Sequence, residues 1–141
     1  MRYAVEFTKD PDGSTVLVDV PDLPSVHTFG DNENDARLQA VDAIETWLDH
    51  LIEDDEPLPN PSSVGNRTSV GLSVRTSGKI AVYTAMHDTG NTRGSLAHRL
   101  GWPVKRVIRL LDLFADTSID DIEMALRALG YEASIDVRPA A

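Results

Sequence analysis

Between Thr89 and Leu111 the chain carries five basic residues, Arg93, Arg99, Lys105, Arg106 and Arg109, and no Asp or Glu. Clustered cations of this kind neutralise phosphates; on a helix in a DNA groove an arginine or lysine also pairs with guanine, and a valine touches a thymine methyl. In a chain of formal net charge −10 the segment is an exception. Its spacing fits two short helices joined by a tight turn. Ala97 is small where crossing helices touch, Gly101 follows where a left-handed turn is needed, and Val107 is the buried anchor of the second helix, with Leu96, Leu100 and Leu110 also inward. The second helix starts from about Pro103, a residue suited to the first helical position. On this register Arg99 and Arg106 meet the DNA backbone, Val104, Lys105 and Arg109 face the groove, and Arg93 is a further phosphate contact at the amino end of the first helix. The pattern is that of a helix-turn-helix; the alternative is a helical hairpin with a solvated basic face. Trp102 is expected to plug the core; the alternative is that it packs on the DNA backbone.

Charge of the opposite sign collects at Glu53-Asp54-Asp55-Glu56, where a helix is expected to end. Acids there oppose the negative end of the helix dipole at about 0.3–1 kcal/mol for each one within the last turn, so local stability does not explain the run. It is either a solvated tail or a docking surface for a basic partner. Catalysis finds less support. Glu6 and Asp19 sit on strands, opposite the apolar faces, and two carboxylates do not make the convergent Mg²⁺ site of a nuclease. There is no glycine-rich phosphate loop or nucleophile motif. His27, His50, His87 and His98 lack a partner at the spacing of a metal motif, and the absence of cysteine excludes disulfides and thiolate sites. No enzyme, catalytic residue, metal or cofactor is expected.

The elements around these residues follow from periodicity. Tyr3, Val5 and Phe7, then Val16, Val18 and Val20, alternate with period two and predict two strands, joined as a hairpin by the turn Asp10-Pro11-Asp12-Gly13. Pro21-Asp22-Leu23-Pro24 is a second connection, and Val26 to Phe29 supplies a third strand. From Asp31 to about Glu53 the apolar stripe Ala40, Ile44, Trp47 and Leu51, flanked by Val41, Leu48 and Ile52, predicts a helix covering one sheet face, with Asp31, Glu33 and Asp35 suited to its start. Pro57, Pro59 and Pro61 force an extended segment, and Val70, Leu72 and Val74 predict a fourth strand. Further on, Ile80, Val82, Tyr83 and Met86 suggest a supporting helix ending near Gly90. A last helix opens at Thr117 or Ser118, buries Ile122, Ala125, Leu126 and Leu129, and stops at Gly130. Tyr131, Ala133, Ile135 and Val137 predict a final strand, whose open edge pairs with its copy in a second chain.

Charge divides this α+β chain in two. Residues 1 to 78 hold five Lys and Arg against fifteen Asp and Glu, whereas residues 79 to 141 hold eight against eight. Two modules with different partners are expected, with boundaries 1–78 and 79–141. The chain opens directly in an alternating segment without a basic-then-apolar leader, and has no apolar run of bilayer length, which predicts a soluble cytoplasmic protein without membrane contact.

The run Tyr3-Ala4-Val5-Glu6-Phe7, the turn Asp10-Pro11-Asp12-Gly13, Val20-Pro21-Asp22-Leu23-Pro24, Gly30-Asp31, the helix ending in Trp47-Leu48, and Glu56-Pro57-Leu58-Pro59-Asn60-Pro61-Ser62 together resemble the HicB antitoxins. The resemblance covers nearly the whole chain, since some members carry a C-terminal helix-turn-helix. It departs at Asp31-Asn32-Glu33-Asn34, a helix start usually less rich in asparagine, and at Ser25-Val26-His27, where a glycine-containing turn is commoner. The resemblance implies a partial ribonuclease-H-like βββαβ module without nuclease activity, residues 1–78, that binds a HicA toxin and blocks its RNA cleavage. Glu53, Asp54, Asp55 and Glu56 are then the candidate toxin-binding residues. Residues 79–141 become a DNA-binding and dimerisation domain, with Arg93, Arg99, Val104, Lys105, Arg106 and Arg109 as its DNA contacts. A homodimer or higher homo-oligomer would repress its own operon at operator DNA. The competing reading is a stand-alone transcriptional regulator whose front module senses another ligand or only dimerises.

Overall fold

The computed structural model describes residues 1–140, which form a mixed α/β chain of five helices and two small sheets. Two compact units divide it, Met1–Ser77 and the residues from Gly78 onward. The first unit contains β1 (Arg2–Ala4), β2 (Glu6–Lys9), β3 (Val16–Asp19), β4 (His27–Gly30), α1 (Glu33–Glu53) and β5 (Ser69–Gly71). Strands β2, β3 and β4 form an antiparallel sheet in that order, and β1 pairs antiparallel with β5. The single strand expected over Tyr3–Phe7 is broken at Val5. Its N–H donates to Thr68 O at 2.9 Å, so the chain is still bound on the β5 side before β2 turns to β3.

The β2–β3 hairpin closes as the turn residues require: Gly13 takes φ +81° and donates its N–H to Asp10 O at 2.8 Å. After β3, Leu23 N donates to Val20 O and Val26 N to Leu23 O, both at 2.9 Å. These successive turns bury Val20, Leu23 and Val26, making the expected connection part of the core. At Gly30 a Cβ would lie 2.3 Å from Ala36 N, so only glycine lets β4 pass this close to the helix that follows.

Helix α1 is capped by Asn32, whose side chain accepts from Asp35 N at 2.9 Å, while Asp35 Oδ2 accepts from Asp31 N at 2.9 Å. The acidic, asparagine-rich start therefore closes the turn into α1 with two side-chain bonds. Ala36, Ala40, Ile44, Leu48 and Ile52 are the buried line, and α1 packs on β4, β3 and β5. The stripe expected through Trp47 and Leu51 is rotated by one position, and both of those residues are half-buried. Small Ala36 and Ala40 let the first half of the helix approach the sheet, which fixes the rotation for the rest. In the proline segment, Ser62 N donates to Asp22 Oδ2 at 2.8 Å, pinning it to the β3–β4 connection.

The strand expected at Val70, Leu72 and Val74 ends at Gly71, and α2 (Val74–Asp88) begins six residues before the helix expected at Ile80. Ser73 is the reason. Its hydroxyl accepts from Thr76 N at 3.0 Å and its carbonyl from Ser77 N at 2.9 Å, a cap that outweighs the weak alternation.

Three helices follow: α3 (Arg93–Leu100), α4 (Val104–Leu111) and α5 (Ile119–Ala128). Thr92 and Ser95 form a capping box at the start of α3, and Gly101 ends it at φ +67°. Pro103 stands just outside α4 as its N-cap residue, one position before the first helical one. Ser118 caps α5 through Asp121 N at 3.0 Å. Leu96, Ala97, Val107, Leu110, Leu111, Ile122, Ala125, Leu126 and Leu129 are buried, whereas Leu100, expected inward, is half-buried. Lys79 is buried as well, its ammonium donating to Asp112 O and Ala115 O at 2.6 Å and to Arg109 O at 3.4 Å. Three carbonyls, from the last turn of α4 and the loop after it, offset the desolvation of this charge, several kcal/mol if left uncompensated.

The final strand expected at Tyr131, Ala133, Ile135 and Val137 is absent: residues 131–140 are neither helix nor strand and lie exposed. Alternation alone makes no strand: the backbone N–H and C=O groups must also pair with a neighbouring strand.

Candidate nucleic-acid and protein interfaces

Helix α4 turns Val107, Leu110 and Leu111 inward. At about 100° per residue, Lys105 and Arg109 then lie opposite, and Val104 and Ile108 flank them on the side toward Leu111, the four spanning an arc of roughly 140°. All four are exposed, and Val104 and Ile108 keep 45% and 51% of their surface in solvent. Two apolar side chains four residues apart thus run beside two cations four residues apart. That surface offers guanidinium and ammonium donors next to apolar groups of the size that meets a thymine methyl. Ile108 was not among the expected contacts, although the same spacing that selects Val104 places it there.

The other basic residues are held differently. Arg106 pairs with Asp121 in the first turn of α5, Nη2 to Oδ1 at 2.9 Å, and its guanidinium carbon lies 4.0 Å from the centroid of the Trp102 ring. Trp102 is half-buried, so it supports Arg106 and does not plug the core. Arg99 Nη1 donates to Ala128 O at 3.1 Å, satisfying a carbonyl at the end of α5. Arg93 opens α3, directly after the Thr92 cap, and His98 is exposed.

Glu53, Asp54, Asp55 and Glu56 are all exposed. They form the helix stop itself: Asp54 is the C-cap residue, Asp55 N donates to Ile52 O at 3.1 Å and Glu56 N to Leu51 O at 2.9 Å. This is a Schellman arrangement whose left-handed position, ordinarily glycine, is Asp55 at φ +55°. His50 Nε2 lies 3.3 Å from Asp54 Oδ2.

Glu6 and Asp19 face each other across β2 and β3, and His27 Nδ1 lies 2.7 Å from Asp19 Oδ1 across β3 and β4. Sequence spacing could not reveal this His–Asp pair, because sheet register creates it. Among the described residues no group of three His, Asp or Glu could hold a metal ion, and no helix is long and apolar enough to cross a membrane.

Residues 2–81 match the family model described as the HicB-like antitoxin of bacterial toxin-antitoxin systems. Antitoxin HicB of Escherichia coli K12 is 35% identical over 138 residues, 96% of this chain and 98% of that one. The chain belongs to the HicB-like antitoxin family. Antitoxin HicB 2 of Photorhabdus laumondii is likewise 35% identical, over 92% of this chain and 91% of its own. The crystal structure of the N-terminal domain of Burkholderia pseudomallei antitoxin HicB superposes with a TM-score of 0.45 at 31% identity, over 52% of this chain and 98% of that domain. As a HicB-like antitoxin the chain is part of a toxin-antitoxin system and is not an enzyme.

Proposed function

We propose that this antitoxin binds and blocks a HicA-like mRNA-cleaving toxin through residues 1–78, a partial ribonuclease-H-like module, and represses its own operon through residues 79–141. In this reading α3 and α4 act as a helix-turn-helix in a homodimer or higher homo-oligomer, working in the cytoplasm. The observation that carries the DNA reading is the exposed α4 face, where Val104, Lys105 and Arg109 stand together in a segment free of acids. Arg93, Arg99 and Arg106 are the phosphate contacts. Tyr131, Ile135 and Val137, all exposed in the tail, supply apolar groups for pairing with a second chain.

For the toxin, the support is family membership together with the charge of the front module, fifteen acids against five bases over residues 1–78. Glu53, Asp54, Asp55 and Glu56 contribute long-range attraction, which raises encounter rate more than affinity. Two experiments test the proposal. In a salt-titrated gel shift, the chain should prefer its own promoter to scrambled DNA; equal affinity for both, or none for either, removes the repressor function. Co-expression with a HicA-like toxin should relieve growth arrest; failure leaves a stand-alone regulator. A fragment ending near Gly78 should keep the rescue, and a folded fragment that binds no toxin moves the partner surface elsewhere.

A further inference from the structure

We propose that the uncovered face of the β2–β3–β4 sheet is where the front module seats its basic protein partner, with Phe29 and Leu17 as apolar anchors and Asp19 as the carboxylate that meets a partner cation. The proposal rests on the toxin-binding reading above and locates the surface that holds the complex together.

Helix α1 packs on one face of this sheet, toward which Val16 and Val18 are buried. Alternation sends Leu17 and Asp19 to the other side. Register then builds two rows there: Thr8, Leu17 and Phe29 side by side, and Glu6, Asp19 and His27 side by side. A solvated sheet face ordinarily carries polar residues at such positions. Here Phe29 is 61% exposed and Leu17 42%, paired directly with each other. An aromatic and an aliphatic anchor bordered by fixed charge is the composition of an interface centre with its polar rim.

The charge selects the occupant. The two rows hold two carboxylates and no Lys or Arg, with Asp19 held in place by His27 Nδ1 at 2.7 Å. The whole unit around it has ten more acids than bases. A second copy of this chain laid on the same face would bring like charges together at close range. A basic protein surface with an apolar patch would instead find both complements.

The test measures association and dissociation of the full chain with a HicA-like toxin. Phe29→Ala should weaken binding at least ~30-fold, mostly through faster dissociation. Reversing the acids at 53–56 to lysine should act mainly on association. Circular dichroism and operator binding should stay at wild-type values in Phe29→Ala. If Phe29→Ala with Leu17→Ala binds like wild type, this surface is wrong while the toxin-binding function stands. If the wild-type chain itself does not bind the toxin, that function fails and the surface with it. Loss of self-association in the double variant, with toxin binding intact, would make the face a contact between copies and overturn the proposal. Should Phe29→Ala lower the melting midpoint, Asp19→Asn decides: faster dissociation supports the surface and an unchanged rate overturns it.

Discussion

Arg106 and Asp121 join helix α4 to the first turn of α5, Nη2 to Oδ1 at 2.9 Å, with the Trp102 ring on the guanidinium's flank. The same arginine is a proposed phosphate contact, so carboxylate and phosphate compete for it. Asp121→Asn should therefore strengthen DNA binding regardless of sequence and lower the stability of the helical unit by up to about 1 kcal/mol, as expected for a partly exposed ion pair. Arg106→Ala should lower the salt slope of binding by about one unit. A lowered melting midpoint with an unchanged salt slope would make Arg106 a brace alone.

Among the described residues, Lys105 and Arg109 have no such tie to α5. Alanine at either should cost roughly 1–3 kcal/mol if it makes a bidentate base contact, and should relax sequence preference at one position. Ile108→Ala should weaken discrimination at a thymine without changing the salt slope, because it removes no charge. Gel shifts over single-base operator variants separate these effects. A dimer would place its half-sites roughly 34 Å apart or at a multiple of that distance.

Asp55 occupies a left-handed position that costs an ordinary L-residue roughly 1–2 kcal/mol, somewhat less for Asp. Asp55→Gly should stabilise the front unit by up to about 1 kcal/mol in a urea melt. If the acidic run serves toxin capture, the same variant should associate more slowly at low salt. Greater stability with an unchanged association rate would assign this carboxylate to the solvated helix end.

Tyr3 gives a pH signature. Burial, with Asp22 adding to it, raises its hydroxyl from 10.0 to about 12, so the folded chain holds this proton more tightly than the unfolded one. The resulting stability is complete below pH 10 and is lost as pH rises from 10 toward about 12. Tyr3→Phe should flatten that limb of the stability curve; an unchanged alkaline limb would trace it to another group.

Much of the fold was legible because the signals were local. Gly101, Pro103 and Val107 fix a turn and a helix within a few residues, and Asp10 to Gly13 fix a hairpin. What sequence hid was decided by partners far along the chain or by a single hydroxyl. Ser73 turns an expected strand into α2, and Val5 changes neighbours between β1 and β2. For the sites, the basic face of α4 could be read from spacing, but the bonds of Arg99 and Arg106 to α5 could not. Leu17 was a visible exception, an apolar residue at an outward position of its strand. Its importance emerged only when register set Phe29 beside it.

The buried ammonium of Lys79 ties α2 to the last turn of α4 and the loop after it. Releasing α4 alone would strand a charge in an apolar interior, so the two segments should open in one step and not by fraying. Amide protons at the end of α4 should then exchange with solvent at the pace of those in α2, and the basic helix would meet its ligand already rigid.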